Sequence, residues 1–411
     1  MVNIINSTLP LIMIAYLFYF RRDRSLNNLL LMTLFLSYFA FATNYTNYGL
    51  DFDIFRYLHR GIGVLVAIAL VIYIYRGRVN VFKEQTVIIL ALFLLTLLLS
   101  FIGNDIYMAY YIHYVRNFVF VASIVAYLYF VLDSNDKLEE LFKLIVAITI
   151  LLAVFIVVEV LQIGWGRSWL FYSNPNYLGY ALLPGLVLVI FSKQNYKQLI
   201  VPLIIFSIFA TGSRAAELSV VFIVLLFIFF NIKQLNKSYL AVSLLIVIST
   251  LILFFDKIVT NQDFNGTRGV LAKISLNVFN EHPINGMGYG QFRKSFSRYV
   301  DEDIRKIGNI EIEKALAENT ENAEKMTHND FLTIVAELGL IGLVFVIFLF
   351  YKLYGELKKL LLHSRNNYFL SIGLIGSSLI FSLFHNNLTS FVFWFILFVP
   401  FIMNRNYEKT S

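Results

Sequence analysis

Arg214, Arg268 and His328 are the residues whose chemistry stands out in an otherwise apolar chain. Arg214 ends Thr211-Gly212-Ser213-Arg214, a polar break between two apolar runs where small residues let backbones approach. A guanidinium placed there can point into a cavity, and its planar fork suits phosphate. The competing reading is a structural ion pair with Glu217, three residues on and on the same helical face. Arg268 follows Asn265-Gly266-Thr267 at the start of an amphipathic stretch. A helix N-terminus and an arginine together would make an anion site there, against the plainer reading of a solvated loop charge. His328, in Thr327-His328-Asn329-Asp330, stands where a charged loop meets an apolar run. Its imidazole can take a proton from an attacking hydroxyl near neutral pH, or it can cap the helix that follows. His113 and Arg116 share one face of a helix, and His385 with Asn386 and Asn387 marks a helix end; these could line the same cavity. His282 before Pro283 and His363 in a basic connection read as structural.

Other chemistries lack their residues. Cysteine is absent, which removes disulfides, thiolate nucleophiles and cysteine-held metals. There is no Gly-x-x-x-x-Gly-Lys-[Ser/Thr] loop for ATP. No His-x-x-x-His or Glu-x-x-His pair suggests a metal, and no cofactor is expected. The triplets Asp51-Phe52-Asp53 and Asp301-Glu302-Asp303 resemble the Asp-x-Asp of sugar-nucleotide enzymes. Both fall on the expected outer side, where nucleotide sugars are not expected.

The elements that must position these residues are membrane helices. The chain is 59% hydrophobic and 14% charged, against about a quarter charged in a soluble domain. Apolar runs able to span a bilayer occur near 2–20, 29–48, 61–75, 86–103, 108–132, 141–163, 177–192, 198–212, 214–230, 239–256, 329–354, 368–386 and 388–404. The expectation is therefore an all-α polytopic protein of 12 or 13 transmembrane helices. The first run lacks a basic leader and a small-residue cleavage site, so it reads as a retained helix. Threaded alternately, one set of short connections and the C-terminal tail collects most of the Lys and Arg, from Arg21, Arg22 and Arg24 to Arg405 and Lys409. That side should be cytoplasmic. The opposite short connections hold only Arg56, Arg60, Arg167 and Arg214. The formal charge of +7 is thus a mark of topology rather than of a nucleic-acid partner.

Three regions follow: transmembrane helices over 1–256, a long extracytoplasmic loop over 257–328, and C-terminal transmembrane helices over 329–411. The loop carries ten basic and ten acidic residues. Thr267 to Asn280 sets Val270, Leu271, Ile274 and Val278 at helical spacing, and Pro283, Gly286, Gly288 and Gly290 then break the helix. Asp301 to Lys325 reads as a second, charged helix running into the next span. Trp165, Trp169 and Tyr172 in an outer connection offer sugar-stacking faces, beside the plainer role of interfacial anchors.

Four stretches in order resemble the O-antigen ligase and O-antigen polymerase superfamily of bacterial cell-envelope glycosyltransferases. They are Ser173-Asn174-Pro175-Asn176-Tyr177-Leu178, Thr211-Gly212-Ser213-Arg214-Ala215-Ala216, the run from Glu281-His282-Pro283 to Gly290-Gln291-Phe292, and His328-Asn329-Asp330-Phe331-Leu332 with Glu337-Leu338-Gly339-Leu340-Ile341-Gly342. The likeness covers about the second half of the chain. It implies a GT-C-type, metal-independent inverting transferase that uses an undecaprenyl-pyrophosphate-linked glycan as donor. Arg214 and Arg268 would then bind the pyrophosphate and His328 would deprotonate the attacking hydroxyl, with Arg116, His113, Asn176, Glu217 and His385 binding substrate. The implied setting is the bacterial cytoplasmic (inner) membrane, multi-pass, with the active site outside. Donor, acceptor glycan and bilayer would be its partners, with a chain-length regulator and a flippase as further ones and no nucleic acid. The leading expectation is a polymerase of lipid-linked repeat units for an O-antigen, capsule or exopolysaccharide. A ligase that passes glycan to another acceptor is the near alternative, and a flippase or transporter the distant one.

Overall fold

Long apolar runs must satisfy every backbone N–H and C=O internally once water is gone, and helices do so. The computed structural model describes residues 84–104, 106–164, 168, 170, 174–191, 197–231, 266–317 and 326–410, with isolated helical residues at 68, 70, 71 and 75. The expected spans at 2–20, 29–48 and 239–256, most of 61–75, and the aromatics Trp165, Trp169 and Tyr172 lie outside them. The described part is helical: α1 Gln85–Leu99, α2 Met108–Val131, α3 Asn135–Ile163, α4 Pro175–Phe191, α5 Lys197–Ala210, α6 Arg214–Asn231 and α7 Thr267–Glu281. The short α8 Phe292–Ser295, α9 Glu302–Lys306, α10 Ile310–Ala317 and α11 Asp330–Thr333 come next. α12 Gly339–His363, α13 Arg365–Ser382 and α14 Phe391–Thr410 complete it. Among the described residues, α2, α3 (to Gln162), α6 and the run Asp330–His363 are long and apolar enough to cross a membrane; α1, α4 and α5 are shorter apolar helices. The protein is an all-α, multi-pass membrane protein.

Among the described residues, helices stand where spans were expected, six of them within four residues of both boundaries, while α3 starts six residues earlier, α12 ends nine later and α14 six later. Two expectations need correction. Of the charged helix expected over Asp301–Lys325, residues 318–325 lie outside the described residues, and the described part is α9 and α10, parted at Gly308. With φ +64, Gly308 takes the left-handed turn that ends α9 and that a side chain would resist. The span expected as one helix from 329 is also broken. α11 runs into a π-helical turn over Ile334–Leu338 before α12 begins at Gly339, φ +59.

α4 is the hub of the bundle. It is buried from Leu178 to Phe191 and packs on α3, α5, α6 and α13. Gly185 allows this closeness, because a Cβ there would stand 2.0 Å from the Thr149 hydroxyl oxygen. α14 closes the other flank against α2, α12 and α13, with Trp394 stacked among Phe93, Phe118 and Phe398.

The two ends of the bundle differ in kind. One end gathers the basic connections. There the Arg405 guanidinium lies 4.1 Å over the Tyr129 ring and donates to the Leu132 carbonyl, while the Tyr129 hydroxyl donates to Glu84. Lys359 meets Glu356 at 2.9 Å, and Asn404 holds the other oxygen of that buried carboxylate. At the opposite end the segment 266–317 forms a small second core, in which Val270, Ile274, Val278, Phe292, Phe296 and Ile304 pack together with Ala336. The apolar face of α7 read from sequence is the face buried there.

Candidate active site

Three connections shape the site at that second end. The first is the glycine-rich loop after α7. Its backbone forms a short ladder with the π turn: Met287 N–H donates to Ala336, Gly288 N–H to the Glu337 carbonyl, and Leu340 and Ile341 N–H to Pro283 and Ile284. The Glu337 carboxylate, buried, accepts from Gly290 N–H at 2.8 Å and Phe292 N–H at 3.0 Å. A side chain at Gly286 would meet the Glu337 carbonyl carbon at 2.2 Å, and one at Gly290 would meet the Tyr114 ring at 2.4 Å. Both also have positive φ. From the other side, Asn104 donates to Gly286 C=O, Gln291 accepts from Tyr107 N–H, and Ser100 Oγ accepts from Tyr289 N–H. The loop is fastened to three elements at once.

The second connection is 326–330. Asn329 caps α11, its side-chain oxygen accepting from Phe331 and Leu332 N–H. His328 therefore does not cap the helix. It is exposed, at φ +52, immediately before the capping residue. The third connection, 383–390, is bound to the second. The buried Asp330 carboxylate accepts from Asn387 N–H and Leu388 N–H at 2.8–3.1 Å, and Asn329 Nδ2 donates to Leu383 C=O. Carboxylates held by backbone donors in this way set the position of chain rather than face solvent.

Most of the residues singled out from sequence come together around these connections. The Arg268 guanidinium, at the start of α7, lies 5.7 Å over the Phe384 ring. Next to it His385, buried, stacks on Phe381 with centroids 4.5 Å apart and faces Tyr177 at 6.0 Å. Asn176 stands beside Tyr177 at the start of α4, its N–H turned onto the Asn174 side chain. Arg214 opens α6 directly after Gly212, whose φ of +60 turns the chain from α5 to α6. Thr211 and Ser213 of that turn pack on Gly179 of α4, where a Cβ would stand 2.9–3.0 Å from them. On α2, Arg116 Nη2 lies 3.0 Å from His113 Nδ1, and Asn117 Nδ2 lies 3.0 Å from His113 Nε2. Glu217 lies buried one turn into α6.

A cavity of about 260 Å3 opens between α2, the connection 326–333 and the connection 386–389. His113 lines it, and sequence reasoning missed most of the rest: Tyr114, Asn117, Tyr177, Tyr289 and Arg293. Asn386, read from sequence together with His385 as a cavity residue, lines it. Its side-chain nitrogen donates to Thr327 Oγ1 at 3.1 Å and Thr333 Oγ1 at 2.8 Å, contacts that span more than fifty residues and leave no local pattern. Lys294 lies over the Tyr110 ring and Arg298 over the Tyr107 ring. Outside the bundle, burial raises the Tyr299 hydroxyl above its ordinary pKa, with Glu281 adding to the shift. It stays protonated opposite His282 Nε2 at 2.9 Å, the structural role expected for His282. Among the described residues, no group of three or more His, Asp or Glu is placed to hold a metal.

What the arrangement offers is a set of fixed cations, an exposed imidazole and an aromatic, amide-lined cavity at one end of a membrane bundle. Residues 199–347, just over a third of the chain, match the model of a family described as O-antigen ligase. No curated protein matches the chain.

Proposed function

From the premise that residues 199–347 belong to the O-antigen ligase family, so that this is an O-antigen ligase/polymerase-type membrane enzyme, we propose that it polymerises undecaprenyl-pyrophosphate-linked repeat units on the outer face of the bacterial cytoplasmic membrane. The observation that carries the reading is the convergence on residues 383–386. Arg268 lies over Phe384, the segment of His328 is tied to Leu383 through Asn329, and Asn386 is tied to Thr327. A cation and a base from distant parts of the chain are thereby held against one short connection. The basic far end supports the orientation, since Lys and Arg are retained in the cytoplasm.

The step is a displacement at the anomeric carbon. The acceptor hydroxyl attacks, His328 takes its proton, and the bond from the anomeric carbon to the pyrophosphate oxygen breaks with inversion. The lipid pyrophosphate leaves with the bonding electrons. Arg214 and Arg268 meet the charge that develops on it, doing by permanent charge what a divalent cation does in other transferases. His113, Arg116, Asn176, Glu217 and His385 are proposed to hold substrate, directly or by setting the residues that do.

The match to a family of O-antigen ligases favours a second reading, a ligase that passes the glycan to a different acceptor. Proteoliposomes carrying the purified chain and lipid-linked repeat units, with a chelator present, separate the possibilities. Longer glycans from donor alone support a polymerase; new bonds only after a second acceptor is added support a ligase. Lipid-linked units that cross the bilayer without any new glycosidic bond would overturn both in favour of a transporter.

A further inference from the structure

Resting on the transferase reading, we infer that Glu159 is a positioning residue for Arg214: its buried carboxylate fixes the turn from which the Arg214 guanidinium meets the leaving pyrophosphate. Glu159 is the one charged residue between Lys143 and the end of α3, in a stretch apolar enough to cross a membrane. An ionisable side chain in such a stretch is costly and is retained where it has committed partners or a function. Glu159 is buried, and the partners of its carboxylate lie outside its own helix. One oxygen, Oε2, accepts from both the Ser168 hydroxyl and the Leu170 N–H, the latter at 3.4 Å. Both donors belong to the connection between α3 and α4. Leu170 holds φ at +47 there, a left-handed conformation that an L-residue keeps only where its surroundings impose it. The carboxylate anchors a strained connection.

That connection passes the constraint on. Ser168 N–H donates to the Ala210 carbonyl at 2.9 Å. Ala210 is the last residue of α5, at a helix end that leaves its carbonyls without intrahelical donors. The bond therefore holds the chain just where it leaves α5. Thr211-Gly212-Ser213 follows, and Arg214 opens α6. Ser213 N–H donates to Thr211 Oγ1 at 3.3 Å, and Ser213 Oγ accepts from Ala216 N–H at 3.4 Å, so this serine caps the helix that Arg214 begins. Gly212 makes the turn pliant by itself, and the pinning on its two sides is what sets the direction of α6. Arg214 is proposed to act on charge that develops on the pyrophosphate, and a misplacement of about 1 Å in such a group costs about a hundredfold in rate. Glu159, through Ser168 and Ala210, thus sets the rate of transfer without touching substrate.

Glycan transfer by the purified full chain in proteoliposomes with lipid-linked repeat units tests this, through Glu159→Leu, Glu159→Gln and Ser168→Ala beside Arg214→Ala. Both donors use one oxygen, which a glutamine can supply, so Glu159→Gln should stay within about threefold of wild type. Glu159→Leu should lower kcat by about 10–100-fold and leave KM for the lipid-linked units within about twofold, the split expected when charge stabilisation in the transition state is lost. Ser168→Ala keeps the N–H to Ala210 and loses only the hydroxyl, so it should fall between them; it carries the same comparisons if Glu159→Leu does not fold. In the Arg214→Ala background, Glu159→Leu should cost less than about twofold more, because the group it positions is already gone. Hydrogen exchange at the amides of residues 208–216, in detergent, should speed up about tenfold in Glu159→Leu and not in Glu159→Gln. Full additivity with Arg214→Ala, equal losses in the leucine and glutamine variants, or unchanged exchange in Glu159→Leu overturns the positioning role. Failure of the transferase reading would show differently, as wild-type transfer by Arg214→Ala alone, whatever the exchange results.

Discussion

His328 holds φ at +52 with a full side chain, a conformation that costs an L-residue about 1–2 kcal/mol. It is exposed, and Asn329 beside it does the capping. We propose that this strained, exposed imidazole is the proton acceptor. Two substitutions separate strain from chemistry. His328→Ala and His328→Gly should both lose transfer by about 10²–10⁴-fold, the usual contribution of a positioned general base. The glycine variant should be the more stable of the pair by roughly 1 kcal/mol, because only it relaxes the backbone, and thermal unfolding of the two proteins in detergent measures that difference. Equal stability would mean that the left-handed turn carries no strain. At this scale the sequence was readable where an unusual residue type sat in a polar break, as for Arg214, Arg268 and His328. It was unreadable for Glu337 and for the partners of Asn386, which are backbone N–H groups and hydroxyls 45 or more residues away.

At the scale of elements, the docking of the glycine-rich loop on the π turn governs whether the site is assembled. Gly286→Ala would add a Cβ 2.2 Å from backbone at a positive φ, and the backbone has no cheap way to yield. It should destabilise the protein by more than about 2 kcal/mol and reduce glycan transfer with it. Gly355, in the middle of α12, has open space around its would-be Cβ. Gly355→Ala should be stabilising by about 0.5–1 kcal/mol, as alanine replaces glycine in a helix, and leave transfer unchanged; melting curves for the pair decide it. Asp301 gives a pH-dependent case. The Ile304 N–H at its helix start and then the Asn277 amide hold its carboxyl below the ordinary pKa. Its stabilisation of α9 is therefore fully present above the ordinary carboxylate pKa and is lost as pH falls through the lowered value. Asp301→Ala should make proteolysis between α7 and α10 faster near neutral pH and should differ less from wild type as the solution is acidified into that range. The helix over Thr267–Glu281 was legible from spacing alone. The break at Gly308 and the π turn were not, because one is a single left-handed glycine inside a good helical composition and the other is imposed by the loop that docks on it.

For the whole molecule, apolar length marked the described helices, which read well from sequence because the bilayer allows so few solutions, and charge bias proposes their alternation. The cavity did not read from sequence, since it forms only where α2, the 326–333 connection and the 386–389 connection meet. Natural absence of cysteine makes the topology directly testable. A maleimide that cannot cross membranes should label Glu311→Cys in intact spheroplasts and Ser364→Cys only after permeabilisation; the reverse pattern would place the site in the cytoplasm. The central claim is bond formation driven by His328, Arg214 and Arg268 together. Its most direct measurement is the glycan made by cells lacking the native gene and complemented with wild type, His328→Ala, Arg214→Ala or Arg268→Ala at equal membrane abundance. The account predicts polymer from the wild type alone, with single lipid-linked units accumulating in each variant, and normal polymer from all three variants would contradict it.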